Sequence, residues 1–166
     1  MFSEYQGVYK QIITGDESWI YAYDPETKRP RQNRSKINVI LAVFFDYPGV
    51  VHYEFLPTGQ TVNKEYYLSV MHHLREAIHK KRLELWANNY WILHQDNASS
   101  HTALIPLEFF AKNSTHVAPQ PPYSLDLTPC DLWLFPKLKR PLQGNHLMSI
   151  EEIEREMVQA LNAIPN

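Results

Sequence analysis

Residues 37–46 read INVILAVFFD, eight apolar side chains in ten with no alternation between faces, and this stretch constrains the fold most. A strand with one wet face alternates every second residue, so a run like this is expected where both faces are covered. The sheet that contains it must therefore carry a layer on each side. Residues 11–23 are rich in β-branched and aromatic side chains and end at Asp24-Pro25, a turn signal. Tyr47-Pro48-Gly49 turns the chain again and residues 50–56 run back, so the three segments read as an antiparallel meander.

Over residues 63–85 the period changes from two to about 3.6, with Tyr67, Val70, Met71, Leu74 and Ile78 on one stripe of a long amphipathic helix. Residues 91–94 are too short an apolar run for a helix and read as a fourth strand, ending at Gln95-Asp96-Asn97. A helix opening near Ser99 or Ser100 meets Pro106 in its interior, at a cost of roughly 3 kcal/mol, and must kink or start later. Residues 119–129 are proline-rich and predict an extended loop. It delivers Thr128 as cap, Pro129 as first and Asp131 as third residue of a helix. Pro136 and Pro141 keep that helix short or broken, and Ser149 with Glu152 forms a capping box for a last helix toward Ala163. The order is three strands, helix, strand, helix, short strand, helix, helix: an α/β mixed sheet with helices on both faces.

At 166 residues, with 44% hydrophobic and 20% charged side chains, one domain with a sizeable core is expected. No run approaches the roughly eighteen apolar residues of a membrane span, and the N-terminus lacks a secretion-signal pattern, so neither a membrane nor the secretory route is expected. A lone cysteine, Cys130, excludes an internal disulfide and any metal site built on paired thiolates, which fits an intracellular chain. The net charge of −2 speaks against a nucleic-acid partner, but totals hide distribution. Twelve of the sixteen bases fall in three clusters: Lys28, Arg29, Arg31, Arg34 and Lys36; Arg75, Lys80, Lys81 and Arg82; and Lys137, Lys139 and Arg140. Any one of them alone reads as a solvated surface.

Three aspartates carry the chemical signal. Asp16 is a carboxylate within an apolar strand, costly to bury without a partner, unless it faces solvent on an edge strand beside Thr14 and Ser18. Asp96 follows the fourth strand at its carboxyl end, where open sheets place functional groups, and reads otherwise as an Asx turn with Asn97. Asp131 sits at a helix start, where a carboxylate also suits the dipole. Together they form a plausible oxygen site for a hard cation, Mg²⁺ or Mn²⁺, whose chemistry needs no nucleophilic side chain. Zinc is not expected: His72 and His73 point to different faces of the helix, and His94 and His101 are expected to buttress Asp96.

The motifs around Asp16 (TGDESWI, residues 14–20), Asp96 (LHQDNASSH, residues 93–101) and Asp131 (PPYSLDLTPCD, residues 121–131), with 34 residues between the second and third aspartates, resemble the catalytic domain of mariner-type transposases of the Tc1/mariner superfamily. The resemblance runs from about residue 11 to the end. It implies a ribonuclease-H-like fold, catalytic Mg²⁺ held by Asp16, Asp96 and Asp131, and Asn97 and His101 beside the site. The implied reaction is cleavage of DNA at a transposon end and transfer of the freed 3′-hydroxyl to target DNA. The clusters at Lys28, Arg29, Arg31, Arg34 and Lys36 and at Lys137, Lys139 and Arg140 would then meet DNA phosphates, and the location would be the nucleus.

Residues 11–166 are expected to be this catalytic domain, after a short lead-in at 1–10 and without the helix-turn-helix modules with which the family begins. Relatives carry a longer, tryptophan-containing insert that helps join two subunits, so the short basic loop between the first two strands weakens the expectation of a homodimer. Leu125 in place of a proline, and Pro106 inside a helix, suggest a truncated or decaying copy. The other class of function to weigh is a non-catalytic remnant that binds nucleic acid without cleaving it.

Overall fold

The computed structural model describes residues 7, 9–22, 37–56, 59, 61–96, 98–119, 129–144 and 146–164. Strands β1 (Ile12–Tyr21), β2 (Asn38–Asp46) and β3 (Gly49–Leu56) form the expected meander. Helices α1 (Lys64–Lys81) and α2 (Leu83–Asn88) lead to β4 (Ile92–His94), then α3 (Ser99–Thr102), α4 (Leu104–Lys112) and β5 (His116–Val117). A π-helical turn (Cys130–Leu134) runs into α5 (Phe135–Lys139), a 3-10 turn (Arg140–Leu142) follows, and α6 (Ile150–Asn162) closes the chain. None of the helices among the described residues is long and apolar enough to cross a membrane.

The five strands are ordered β3-β2-β1-β4-β5, with β1 antiparallel to β2 and parallel to β4. The unbroken apolar run of β2 now has its reason. Leu41 and Val43 pack toward α5 and α6 with Leu134, Leu138, Ile153 and Met157, while Ala42 and Phe44 pack toward α1 and α4 with Tyr67, Met71, Leu74 and Phe110. Each face of the sheet thus has its own core.

Two expected helices are divided. The pattern over residues 63–85 breaks at Arg82, which leaves helical geometry at φ −133°, ψ 61° because its guanidinium reaches back to the β2–β3 turn. Arg82 Nε and Nη2 donate to Asp46 Oδ2 and Oδ1 at 2.6 and 2.8 Å, and the Asp46 side chain is fully buried. The pair raises the Arg82 pKa above its ordinary value despite burial. This member of the second basic cluster is therefore a structural clamp, not a free surface charge.

The Pro106 conflict resolves at Ala103, whose extended backbone (φ −63°, ψ 157°) separates α3 from α4. Pro106 then falls in the first turn of α4, where its missing N–H has no intrahelical partner to lose. The Ser149 cap forms as expected: its hydroxyl accepts from Glu152 N–H at 3.2 Å, while the Glu152 carboxylate accepts from Met148 N–H at 2.6 Å, one residue earlier than in the standard box.

Candidate active site

Asp16 lies in the central strand of the sheet, not at an edge, and is only 6% exposed. The polar row Thr14, Asp16, Ser18 points toward the face that carries α5: Lys139 donates to Ser18 Oγ at 2.6 Å, and Ile20 on the same row joins the core beneath α5 and α6. One Asp16 oxygen accepts from Glu17 N–H at 2.8 Å.

What allows β1 to approach β2 here is Gly15. Its partner across the ladder is Phe44, whose ring covers it: a Cβ on Gly15 would lie 2.0 Å from Phe44 Cδ1.

Asp96 is brought to Asp16 by register. Thr14 pairs with His94 in the parallel ladder, so Asp16 on β1 and Asp96 in the segment that follows β4 each lie two residues beyond the last pair. The π-helical turn that contains Asp131 packs against β1. The side chain of Asp131 lies outside the described residues, as do Asn97 and the basic loop with Lys28, Arg29, Arg31, Arg34 and Lys36.

His101 is the histidine that buttresses Asp96. It is 2% exposed on α3, with Nδ1 2.9 Å from Asp96 Oδ1 and Nε2 3.1 Å from Glu17 Oε1. Burial disfavours its charged form, but the hydrogen bonds to Asp96 and then Glu17 outweigh this and push its pKa up to about 10. It is an imidazolium at neutral pH. Reciprocally, the hydrogen bond from His101 leads the effects that outweigh desolvation and hold the Asp96 pKa below the usual carboxylate value, helped by Ala98 N–H at 3.1 Å. Both contacts fall on Oδ1 of Asp96.

The Tyr67 ring lies against His101 at 4.2 Å between centroids, and its hydroxyl donates to buried Gln95. Glu17, Tyr67 and Gln95 are the supporting residues that sequence reasoning missed. Glu17 had one signal, an acid directly after Asp16 and hence on the opposite face of the sheet.

His94 has a different place. Burial lowers its pKa, and with Thr14, Pro129, Trp133 and Leu134 it walls a cavity of about 570 Å³ on the Asp16 face of the sheet. Of the third basic cluster, Lys139 is tied to Ser18, Lys137 lies over the Trp133 ring at 4.9 Å, and Arg140 lies in the 3-10 turn.

Comparison with known proteins converges on one group. Residues 14–88 match the family model described as Transposase (partial DDE domain). The chain is 32% identical over 158 residues to the mariner Mos1 transposase of Drosophila mauritiana, covering 87% of this chain and 46% of that protein. The structure of the Mos1 catalytic domain superposes with a TM-score of 0.82 at 30% identity, over 98% of this chain and 76% of that one. A pre-cleavage Mos1 transpososome gives 0.88 at 30% identity, over 98% of this chain and 52% of that one. The chain thus spans about half the length of that transposase, and nearly the whole of its own fold is matched. A ribonuclease-H-like sheet that sets Asp16 beside the end of β4, with matches of this extent, places the chain in the mariner-type transposase family, as a form of that family's catalytic domain.

Proposed function

We propose that this chain cleaves and joins DNA strands in a metal-dependent reaction, with Asp16, Asp96 and Asp131 as the carboxylates that hold Mg²⁺ or Mn²⁺. The observation that carries the reading is the placement of a buried Asp16 in the central strand, two residues past its last pairing with β4, as Asp96 lies two residues past the end of β4. Carboxylates brought to one end of neighbouring elements are oxygen-only donors, which suit a hard ion. Mos1 structures containing Mn and Mg support the same choice of metal. When bound, two such ions activate a water and stabilise the leaving oxygen of an in-line phosphodiester displacement.

The chain's own residues supply orientation. The His101 imidazolium fixes Asp96 through Oδ1 and is itself fixed by Glu17, so Oδ2 of Asp96 is presented in one direction. Lys137, Lys139 and Arg140, on the face that Asp16 shares, would meet DNA phosphates, as would the basic loop before β2. DNA is the proposed partner, as the Mos1 transpososome is the related assembly, and the nucleus the proposed location.

The test is nicking of supercoiled plasmid with about 5 mM Mg²⁺ or Mn²⁺. Nicking that needs the metal and falls at least about a hundredfold in Asp96→Asn and in Asp16→Asn is expected. Equal nicking by wild type and Asp96→Asn would refute the assignment. Salt-sensitive DNA binding without metal-dependent nicking would instead identify a non-catalytic nucleic-acid-binding relative.

A further inference from the structure

A second cluster of metal-ligating side chains lies away from the aspartates, where β3 meets α1. His52 Nε2 and His73 Nδ1 each lie 3.0 Å from the same oxygen, Glu54 Oε1. The ligand atoms of all three residues fall within 4.8 Å of one another. We propose that His52, Glu54 and His73 form a transition-metal site that takes Zn²⁺, independent of the proposed Mg²⁺ site.

The fold explains the juxtaposition. The β2–β3 register shifts between Phe44 and Phe45, and Val51 is the extra residue. Beyond this bulge Tyr53 and Phe55 pack on the α6 face, while His52 and Glu54, two residues apart, share the α1 face. There α1 lies against β3 and presents His73. Phe44 stacks on the His52 imidazole at 6.5 Å between centroids, 24° from parallel, which limits its rotation.

Donor chemistry and geometry both point to zinc. Two imidazoles and one carboxylate, with an open fourth position, are a recurrent zinc set, whereas Mg²⁺ prefers oxygen alone. Tetrahedral bonds of about 2.0–2.2 Å separate donor atoms by roughly 3.3–3.5 Å. Two of the three pairs already stand at 3.0 Å, so small side-chain rotations complete the triangle. His73 is 49% exposed, giving a path for the ion. On binding, each imidazole must turn a lone pair to the metal from the nitrogen now facing Glu54, moving its proton to the other ring nitrogen or releasing it to solvent.

Zn²⁺ titrated calorimetrically into the metal-free full chain, with about 5 mM Mg²⁺ present to fill oxygen sites, tests this. One equivalent is expected at a Kd of about 1 µM or tighter, weakened at least tenfold in His73→Ala and in His52→Ala and unchanged in Asp96→Asn. At a hundredfold excess over the wild-type Kd the melting temperature rises by roughly 5–10 °C in wild type and by at most about half as much in His73→Ala. Equal zinc affinity in wild type and His73→Ala, loss of binding in Asp96→Asn, or no heat at about 100 µM zinc would each overturn the proposal. His73 is half-exposed, so its replacement leaves the fold intact, as circular dichroism of the variant verifies.

Discussion

Replacing Gly15 by alanine sets one methyl against one ring. The added Cβ would lie 2.0 Å from Phe44 Cδ1 and 2.2 Å from Cε1, against the roughly 3.5–4.0 Å of a comfortable carbon contact. The ring must therefore retreat by about 1.5 Å, and it cannot do so cheaply. Phe44 is 2% exposed, packed in the α1-side core and stacked on His52. Overpacking of this kind costs about 1–3 kcal/mol, and a clash this deep lies at the upper end, about 3 kcal/mol. At about 2–4 °C per kcal/mol for a chain of this length, the melting temperature falls by about 6–12 °C.

The sign is diagnostic, because glycine in an open strand is worse than alanine by about 0.5–1 kcal/mol. Urea unfolding of Gly15→Ala, Phe44→Leu and the double variant forms a cycle. With the ring gone, Gly15→Ala should cost less than about 1 kcal/mol, a coupling of about 2 kcal/mol. Additivity within about 0.5 kcal/mol, or a Gly15→Ala protein as stable as wild type, would refute the steric account.

Two further outcomes follow from buried charge. Arg82→Ala leaves the Asp46 carboxylate enclosed without its guanidinium and should cost about 3–5 kcal/mol by urea unfolding, whereas Lys80→Ala, on an exposed side chain, should stay within about 0.5 kcal/mol. His101 has its pKa raised from 6.5 to about 10 in the fold. Its stabilisation is complete below pH 6.5, where the unfolded chain is also protonated, and is lost as pH rises toward 10. Melting temperature of the metal-free protein should fall across that window, and His101→Gln should flatten the fall. A flat wild-type profile would contradict the charged bridge.

The sheet was legible because β2 has to be apolar on both faces and the turn at Tyr47-Pro48-Gly49 joins it to its neighbour. Asp96 was legible as the end of a short strand. Whether Asp16 faced solvent depended on strand order, and only the parallel pairing with β4 makes β1 central. The divided helices were half visible: Pro106 announced a break, whereas the break at Arg82 arises from Asp46, 36 residues away. Likewise Glu17 and His101 are 84 residues apart, and no local pattern links them. The expectation that His72 and His73 diverge holds: His72 lies edge-on to Phe109 while His73 turns to β3. What adjacency could not show is that each would find its partners on another element.

The parallel pairing of β1 with β4 also fixes an order of events during synthesis. The meander and α1 are made from neighbouring segments and can begin to pack while the rest of the chain is still on the ribosome. Asp16 and Asp96 are separated by about eighty residues, a loop whose closure must be met by contacts made afterwards. During that interval one edge of β1 is bare, and a buried-type carboxylate waits on an open strand. The short β4, only three residues long, is thus the element whose arrival closes the open edge of β1, and a nascent chain arrested before it would hold most of one core and an unfinished sheet.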